Sequence, residues 1–216
     1  MNIKVCGHQS LQDVETTLKT DIGYLGFIFA PSKRRVQAEQ VREWIDSVDI
    51  KEKKLVGVFV NASFEEIADI LKVVPLDVIQ CHGTESPAYI LTLKQMTNCE
   101  IWKAIHHEPS AVERMKTYEN TVEGYVIDAK VSGQWGGTGQ TFAWEYIPQY
   151  IEEAKRQGAE CYIAGGVNVD TIDQLLTYSP SAIDIASGSE TNGVKDLAKI
   201  KTIEDKVISY VTASSR

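Results

Sequence analysis

Two textures alternate along the chain. Short apolar runs rich in β-branched and aromatic residues occur at Ile3–Cys6, Tyr24–Phe29, Leu55–Val60, Asp77–Cys81, Glu100–Ile105, Gly124–Ile127, Cys161–Ala164 and Ala182–Ala186, and they read as strands. Charged segments with apolar residues at helical spacing lie between them; Val41, Trp44, Ile45 and Val48 form one such set. Helix starts are marked by the capping-box patterns Ser10-Leu-Gln-Asp13, Ser63-Phe-Glu-Glu66 and Ser110-Ala-Val-Glu113, and by Pro87 after Ser86 at a first helical position. Further helices are expected over Val169–Leu176 and from near Thr141. Strict alternation of strand and helix implies a parallel sheet, because parallel strands need long crossovers. An open doubly wound sheet usually has five or six strands, whereas eight repeats suit a closed (β/α)8 barrel. No Gly-x-Gly-x-x-Gly follows the first strand, where a dinucleotide fold would carry it. No Pro/Gly/Ser-rich linker divides the chain. The expectation is a single α/β domain over residues 1–216, a (β/α)8 (TIM) barrel of eight parallel strands.

Composition narrows the class without changing this picture. With 43% apolar and 24% charged residues, a largely disordered chain and a small disulfide scaffold are both excluded. The net charge of −8 argues against nucleic acid as a partner, although a small anion is allowed if its charge is met locally. The longest apolar stretches, Tyr24–Pro31 and Leu55–Val60, fall far short of a membrane span, and no secretory leader pattern opens the sequence. Cys6, Cys81, Cys99 and Cys161 have no paired spacing and lie in or beside apolar runs, as reduced thiols do. A cytoplasmic enzyme or binding protein is expected, as a monomer or alternatively a homodimer, acting without cofactor or metal. No His/Cys/Asp cluster has zinc spacing.

In such barrels the chemistry sits where strands end. Two late loops, Gly165-Gly166-Val167-Asn168 and Ser187-Gly188-Ser189, follow strands seven and eight, the usual phosphate site of this fold. Their small residues would let backbone amides approach an anion, though glycine is also ordinary in tight turns. After strand six, Gly133-Gln-Trp-Gly136-Gly137-Thr138-Gly139 suggests a lid, with a plain surface loop as the alternative. Asp128 stands at the entrance to that loop, where Asp is out of place in a strand. Cys6 ends strand one and faces the barrel mouth on this reading; an inert buried thiol is the ordinary alternative. Within Ser32-Lys33-Arg34-Arg35, one arginine at the rim could fork onto a substrate carboxylate. His82 is either an active-site hydrogen bonder or a satisfied strand-end histidine.

Taken in order, Ile3-Lys-Val-Cys6-Gly7, Gly26-Phe-Ile-Phe29, Ser32-Lys-Arg34-Arg-Val36, Gly57-Val-Phe-Val-Asn61, Val78-Ile-Gln-Cys-His82-Gly83, Gly136-Gly-Thr-Gly139, Ala164-Gly-Gly166 and Asp184-Ile-Ala-Ser-Gly188 to Glu190 span the chain. On these motifs it resembles the phosphoribosylanthranilate isomerase family from end to end. The resemblance implies an Amadori rearrangement of N-(5′-phosphoribosyl)anthranilate in tryptophan biosynthesis. It implies Cys6 as general base, Asp128 as general acid, Arg34 on the anthranilate carboxylate, and His82 and Asp184 as polar pocket residues. A thiol that ordinarily titrates near ~8.5 and a carboxyl that titrates near ~3.9 would each have to shift toward neutrality for those roles. The sequence departs from the family at Ala186, where serine is more usual, at Cys81, where an aliphatic residue is, and at His8. The alternatives are related phosphate-binding barrels. An indole-glycerol-phosphate synthase should carry a catalytic lysine and a longer N-terminus. The histidine-pathway aminoaldose isomerase should carry paired carboxylates. A barrel kept only for binding would lack Cys6 or Asp128.

Overall fold

The structure is a computed structural model and describes residues 1–129 and 143–214. Eight parallel strands close into a barrel: β1 (Asn2–Cys6), β2 (Tyr24–Ile28), β3 (Lys54–Phe59), β4 (Val78–Cys81), β5 (Glu100–His106), β6 (Gly124–Asp128), β7 (Glu160–Ile163) and β8 (Ala182–Ile185). Each lies within one residue of the apolar run that predicted it. The barrel closes where Lys4 of β1 pairs with Asp184 of β8, and Cys6 sits beside Gly26 of β2.

Helices α1 (Leu11–Leu18), α2 (Ala38–Asp46), α3 (Phe64–Val73), α4 (Pro87–Met96), α5 (Ala111–Thr117), α6 (Ile147–Arg156), α7 (Ile172–Leu176) and α8 (Leu197–Ser214) complete the eight units. Ser10, Ser63 and Ser86 accept from the amides of Asp13, Glu66 and Tyr89, as their patterns predict. Ser110 does not cap α5, because its hydroxyl donates to Glu108 Oε1 at 3.1 Å instead. Val48 lies beyond the end of α2. The α7 helix starts at Ile172 rather than Val169, because Asn168 Oδ1 accepts from the amides of Asp170 and Thr171 and turns the chain first. A 3-10 turn at Trp144–Tyr146 leads into α6. Strand β8 is followed by a 3-10 turn, Ser187–Ser189, and by a hairpin of β9 (Glu190–Thr191) and β10 (Val194–Lys195) before α8. No described helix is long and apolar enough to cross a membrane.

The two faces of the strands form two separate cores, and residue parity sorts them. Odd-numbered strand residues such as Val5, Leu25, Phe27, Ile79, Ile127 and Ile183 pack outward against the helices. Even-numbered ones fill the barrel, including Tyr24, Val56, Val78, Trp102, Val126 and Tyr162. This follows from the two-residue period of a strand covered on both sides. Within the barrel, Trp102 stacks on Tyr162 with centroids 4.3 Å apart, and Tyr24 leans on Trp102 at 5.2 Å. These buried rings fill the barrel's lower part. Inward positions nearer the strands' C-terminal ends are thereby left for polar chemistry.

Candidate active site

Cys6, Arg34, His82, Asp128 and Asp184 line one pocket at the C-terminal mouth, with Gly165, Gly166, Val167, Ser187 and Gly188 on its wall. All strand-borne polar residues among them are even-numbered and therefore inward. Cys81 and Cys161 are odd, face the helices, and are buried with thiols pushed up to about 12 by desolvation. The inert reading thus holds for them, and Cys6 is set apart by position.

Cys6 sits among buried charges. Lys4, two residues earlier on the same face and fully buried, donates from Nζ to both oxygens of Asp184 at 2.9 Å. Its charge also acts on the Cys6 thiol. Burial pushes that thiol above its ordinary value, and Lys4 is the largest opposing influence. Burial works against the Lys4 ammonium as well, but Asp184 holds it above its ordinary range. Lys195 of β10 donates to the Cys6 carbonyl at 2.7 Å, to Ser189 Oγ at 3.1 Å and to Glu190 Oε1 at 2.9 Å.

Arg34 is buried, and its Nε and Nη2 fork onto the two oxygens of Glu190 at 2.8 Å each. A guanidinium has two such edges, so the Nη1–Nη2 edge remains for a second carboxylate. Glu190 is held below the usual carboxylate range by Arg34 and Lys195, against its own burial. Gly7 has φ +82°, and a Cβ there would lie 2.6 Å from Arg34 Cδ; glycine is what lets the arginine stem cross the end of β1.

His82 and Asp128 form the opposite wall. The amide nitrogen of Gln80 meets His82 Nδ1 at 2.8 Å. That donor makes Nδ1 an acceptor and puts the ring proton on Nε2. Nε2 stands 3.5 Å from Asp128 Oδ2, is buried, and has no closer polar partner among the described residues. Asp128 Oδ1 accepts the Ala129 amide at 2.8 Å.

The two small-residue loops pack against each other. Gly165 and Gly166 have φ of +78° and +72°, and a Cβ on Gly188 would lie 1.9 Å from the Val167 carbonyl oxygen. Two expected phosphate donors drop out here. Ser189 is fully buried, its amide and hydroxyl both spent on the Ala186 carbonyl at 3.1 and 2.6 Å. The Asn168 amide donates to Thr171 Oγ1 at 3.0 Å, so Asn168 shapes the adjoining cleft without offering that donor. Lys199 of α8 also lines the cleft, which adds a cation the loops themselves lack. The expected lid, Gly136, Gly137, Thr138 and Gly139, lies outside the described residues.

Known proteins match this chain in sequence and fold. The family described as N-(5′-phosphoribosyl)anthranilate isomerase matches residues 3–206. A curated relative of that name from Geobacillus thermodenitrificans is 50% identical over 211 residues, covering 98% of this chain and 96% of its own. The chain belongs to the phosphoribosylanthranilate isomerase family, isomerases of tryptophan biosynthesis. The crystal structure of phosphoribosylanthranilate isomerase from Thermotoga maritima superposes with a TM-score of 0.83 at 26% identity, covering 97% of this chain and 99% of its own. A second isomerase structure, in complex with reduced 1-(o-carboxyphenylamino)-1-deoxyribulose 5-phosphate, gives 0.78 at 25% identity and the same coverage.

Within this isomerase, sequence reasoning missed Lys4, Lys195, Gln80 and Lys199 as members of the site. Parity alone would have found two of them. Lys4 and Gln80 are each two residues before a residue it did select, and so share its face. Lys195 carries no local signal, because only the hairpin brings it back to β1.

Proposed function

We propose that Cys6 and Asp128 carry the two proton transfers of the family's aldose–ketose isomerisation in this chain. The observation that supports this best is that both residues line the one pocket whose walls also offer an arginine edge and two amide-bearing loops. Asp128 gives a proton to the furanose ring oxygen as the C1′–O bond breaks, leaving an iminium. The Cys6 thiolate then takes the C2′ proton, and the C–H electron pair neutralises the iminium to give an enolamine. Tautomerisation to the ketone completes the rearrangement. The iminium's positive charge favours the thiolate at the step that needs it.

The Nη1–Nη2 edge of Arg34 receives the anthranilate carboxylate, while Glu190 fixes the plane of the guanidinium from the other side. His82 Nε2–H serves the substrate hydroxyls beside Asp128. The phosphate lies on the amides of Gly166, Val167, Ser187 and Gly188, with Lys199 at the cleft edge. Asp184 holds Lys4 through both oxygens and keeps acceptor capacity toward the pocket it lines, where it can meet a substrate hydroxyl. Residues 1–216 work as one catalytic domain and as a monomer. Four free cysteines accord with a cytoplasmic setting. Loss of phosphoribosylanthranilate fluorescence in a steady-state assay tests the reading. Folded protein without turnover overturns it.

A further inference from the structure

We propose that Lys4 is a positioning residue that sets the ionisation of Cys6, with Asp184 as its counterweight. The inference rests on Cys6 being the base. Three features of the structure carry it. Lys4 is fully buried on β1 and spends its charge on Asp184 alone among carboxylates, in a symmetric 2.9 Å pair. It stands two residues before Cys6 on the inward face, as a strand's period requires. Gly26 lets the two side chains meet: a Cβ there would lie 2.9 Å from Cys6 Sγ and 3.1 Å from Lys4 Cε.

A lysine in an apolar barrel strand is costly unless it is used. Stability alone does not require it, since a buried ion pair replaced by apolar groups is often neutral or better. What the pair does supply is a cation next to a thiol. When Cys6 loses its proton, the new charge on Sγ faces the Lys4 ammonium. When Sγ takes the C2′ proton, that charge vanishes and Lys4 is left to Asp184. Asp184 keeps Lys4 charged and in place, and by its own charge opposes the thiolate. The other charged groups around Cys6 are Lys195 at its carbonyl, Arg34 and Glu190 at the rim, and Asp128 and His82 across the pocket. His8 is buried and neutral, its ring pushed down to about 3.

The two partners should therefore act on Cys6 in opposite directions, which a merely structural pair would not do. The test is the pH dependence of Cys6 alkylation by iodoacetamide, followed by mass spectrometry of the Cys6 peptide. Lys4→Met should raise the midpoint by about one unit or more, and Asp184→Asn should lower it. In turnover, Lys4→Met should cut kcat about tenfold near neutral pH, with recovery as pH rises and KM within about threefold. An unmoved midpoint in Lys4→Met, or shifts of the same sign in both variants, overturns the proposal. Should Lys4→Met fail to fold, Lys4→Gln decides in its place: a raised midpoint supports the proposal, and an unmoved or lowered one refutes it. Cys6→Ala turnover tests the base assignment separately, because the midpoints do not depend on what Cys6 does in catalysis.

Discussion

Gly188→Ala is the smallest change that should separate the two loops assigned to phosphate. The added carbon would lie 1.9 Å from the Val167 carbonyl oxygen and 2.8 Å from Asn168 Cβ, both on the facing loop. Neither neighbour is the end of a flexible side chain, so ordinary contact requires one backbone to retreat by more than about 1 Å. A charge-assisted hydrogen bond of about 2.8 Å does not survive such a displacement. If the amides of one loop are lost to the phosphate, two bonds of about 1.5–3 kcal/mol each go with them. That corresponds to a rise in KM of at least about 100-fold. The competitive inhibition expected from inorganic phosphate should disappear in parallel. Gly23→Ala is the control, since nothing lies within 4 Å of its added carbon. Steady-state kinetics with phosphate titrations, and thermal melts to confirm folding, provide the readouts. A folded Gly188→Ala enzyme with ordinary KM and intact phosphate competition would refute the placement.

Cys6→Ala and Asp128→Asn should each lower kcat by at least about 100-fold without altering the melting transition; near-normal kcat in Cys6→Ala removes the base assignment. Arg34→Lys keeps the charge but loses the fork on Glu190 and the second fork, and should weaken substrate binding about 10- to 100-fold. A substrate analogue without the carboxylate should be insensitive to that change, and equal losses would mean a structural role. His8 is buried and held neutral down to about pH 3, whereas the unfolded chain protonates it near ~6.5. The unfolded state therefore binds the extra proton between those values, and stability should fall with decreasing pH by about 1.4 kcal/mol per unit from this group. Urea melts of His8→Gln should show a shallower slope across that window; an unchanged slope counts against the assignment.

Most of the fold is legible because a barrel strand is buried on both faces and so writes itself as an unbroken apolar run. Helix bounds are less legible where a side chain competes for the backbone. Asn168 delays α7 by capping an earlier turn, and Ser110 prefers Glu108 to its own helix. The candidate site is legible as far as strand ends are. Cys6, His82 and Asp128 stand out as polar residues at the end of apolar runs, Asp184 enters only through the family resemblance, and the structure gathers all four in one pocket. What is not legible is whom they touch. The partner of Asp184 lies 180 residues away on the strand that closes the barrel, and Glu190 reaches Arg34 across 156 residues. Ser189 fails as a phosphate donor for a local reason invisible in its letters: a 3-10 turn points its amide and hydroxyl back at Ala186.

The charges around the pocket bear on the order of the two proton transfers. The chain carries a net −8, and the pocket has no formal surplus of cations: Lys4, Lys195 and Arg34 are matched by Asp184, Glu190 and Asp128. On the proposed reading two further anions draw on these cations, the substrate carboxylate at Arg34 and the Cys6 thiolate beside Lys4. In a buried setting of low effective dielectric, with no cation to spare, each disfavours the other. Binding of the carboxylate thus works against the thiolate, until ring opening places a cationic iminium in the same pocket and restores the balance. On the proposed assignment, acid catalysis by Asp128 then comes before base catalysis by Cys6.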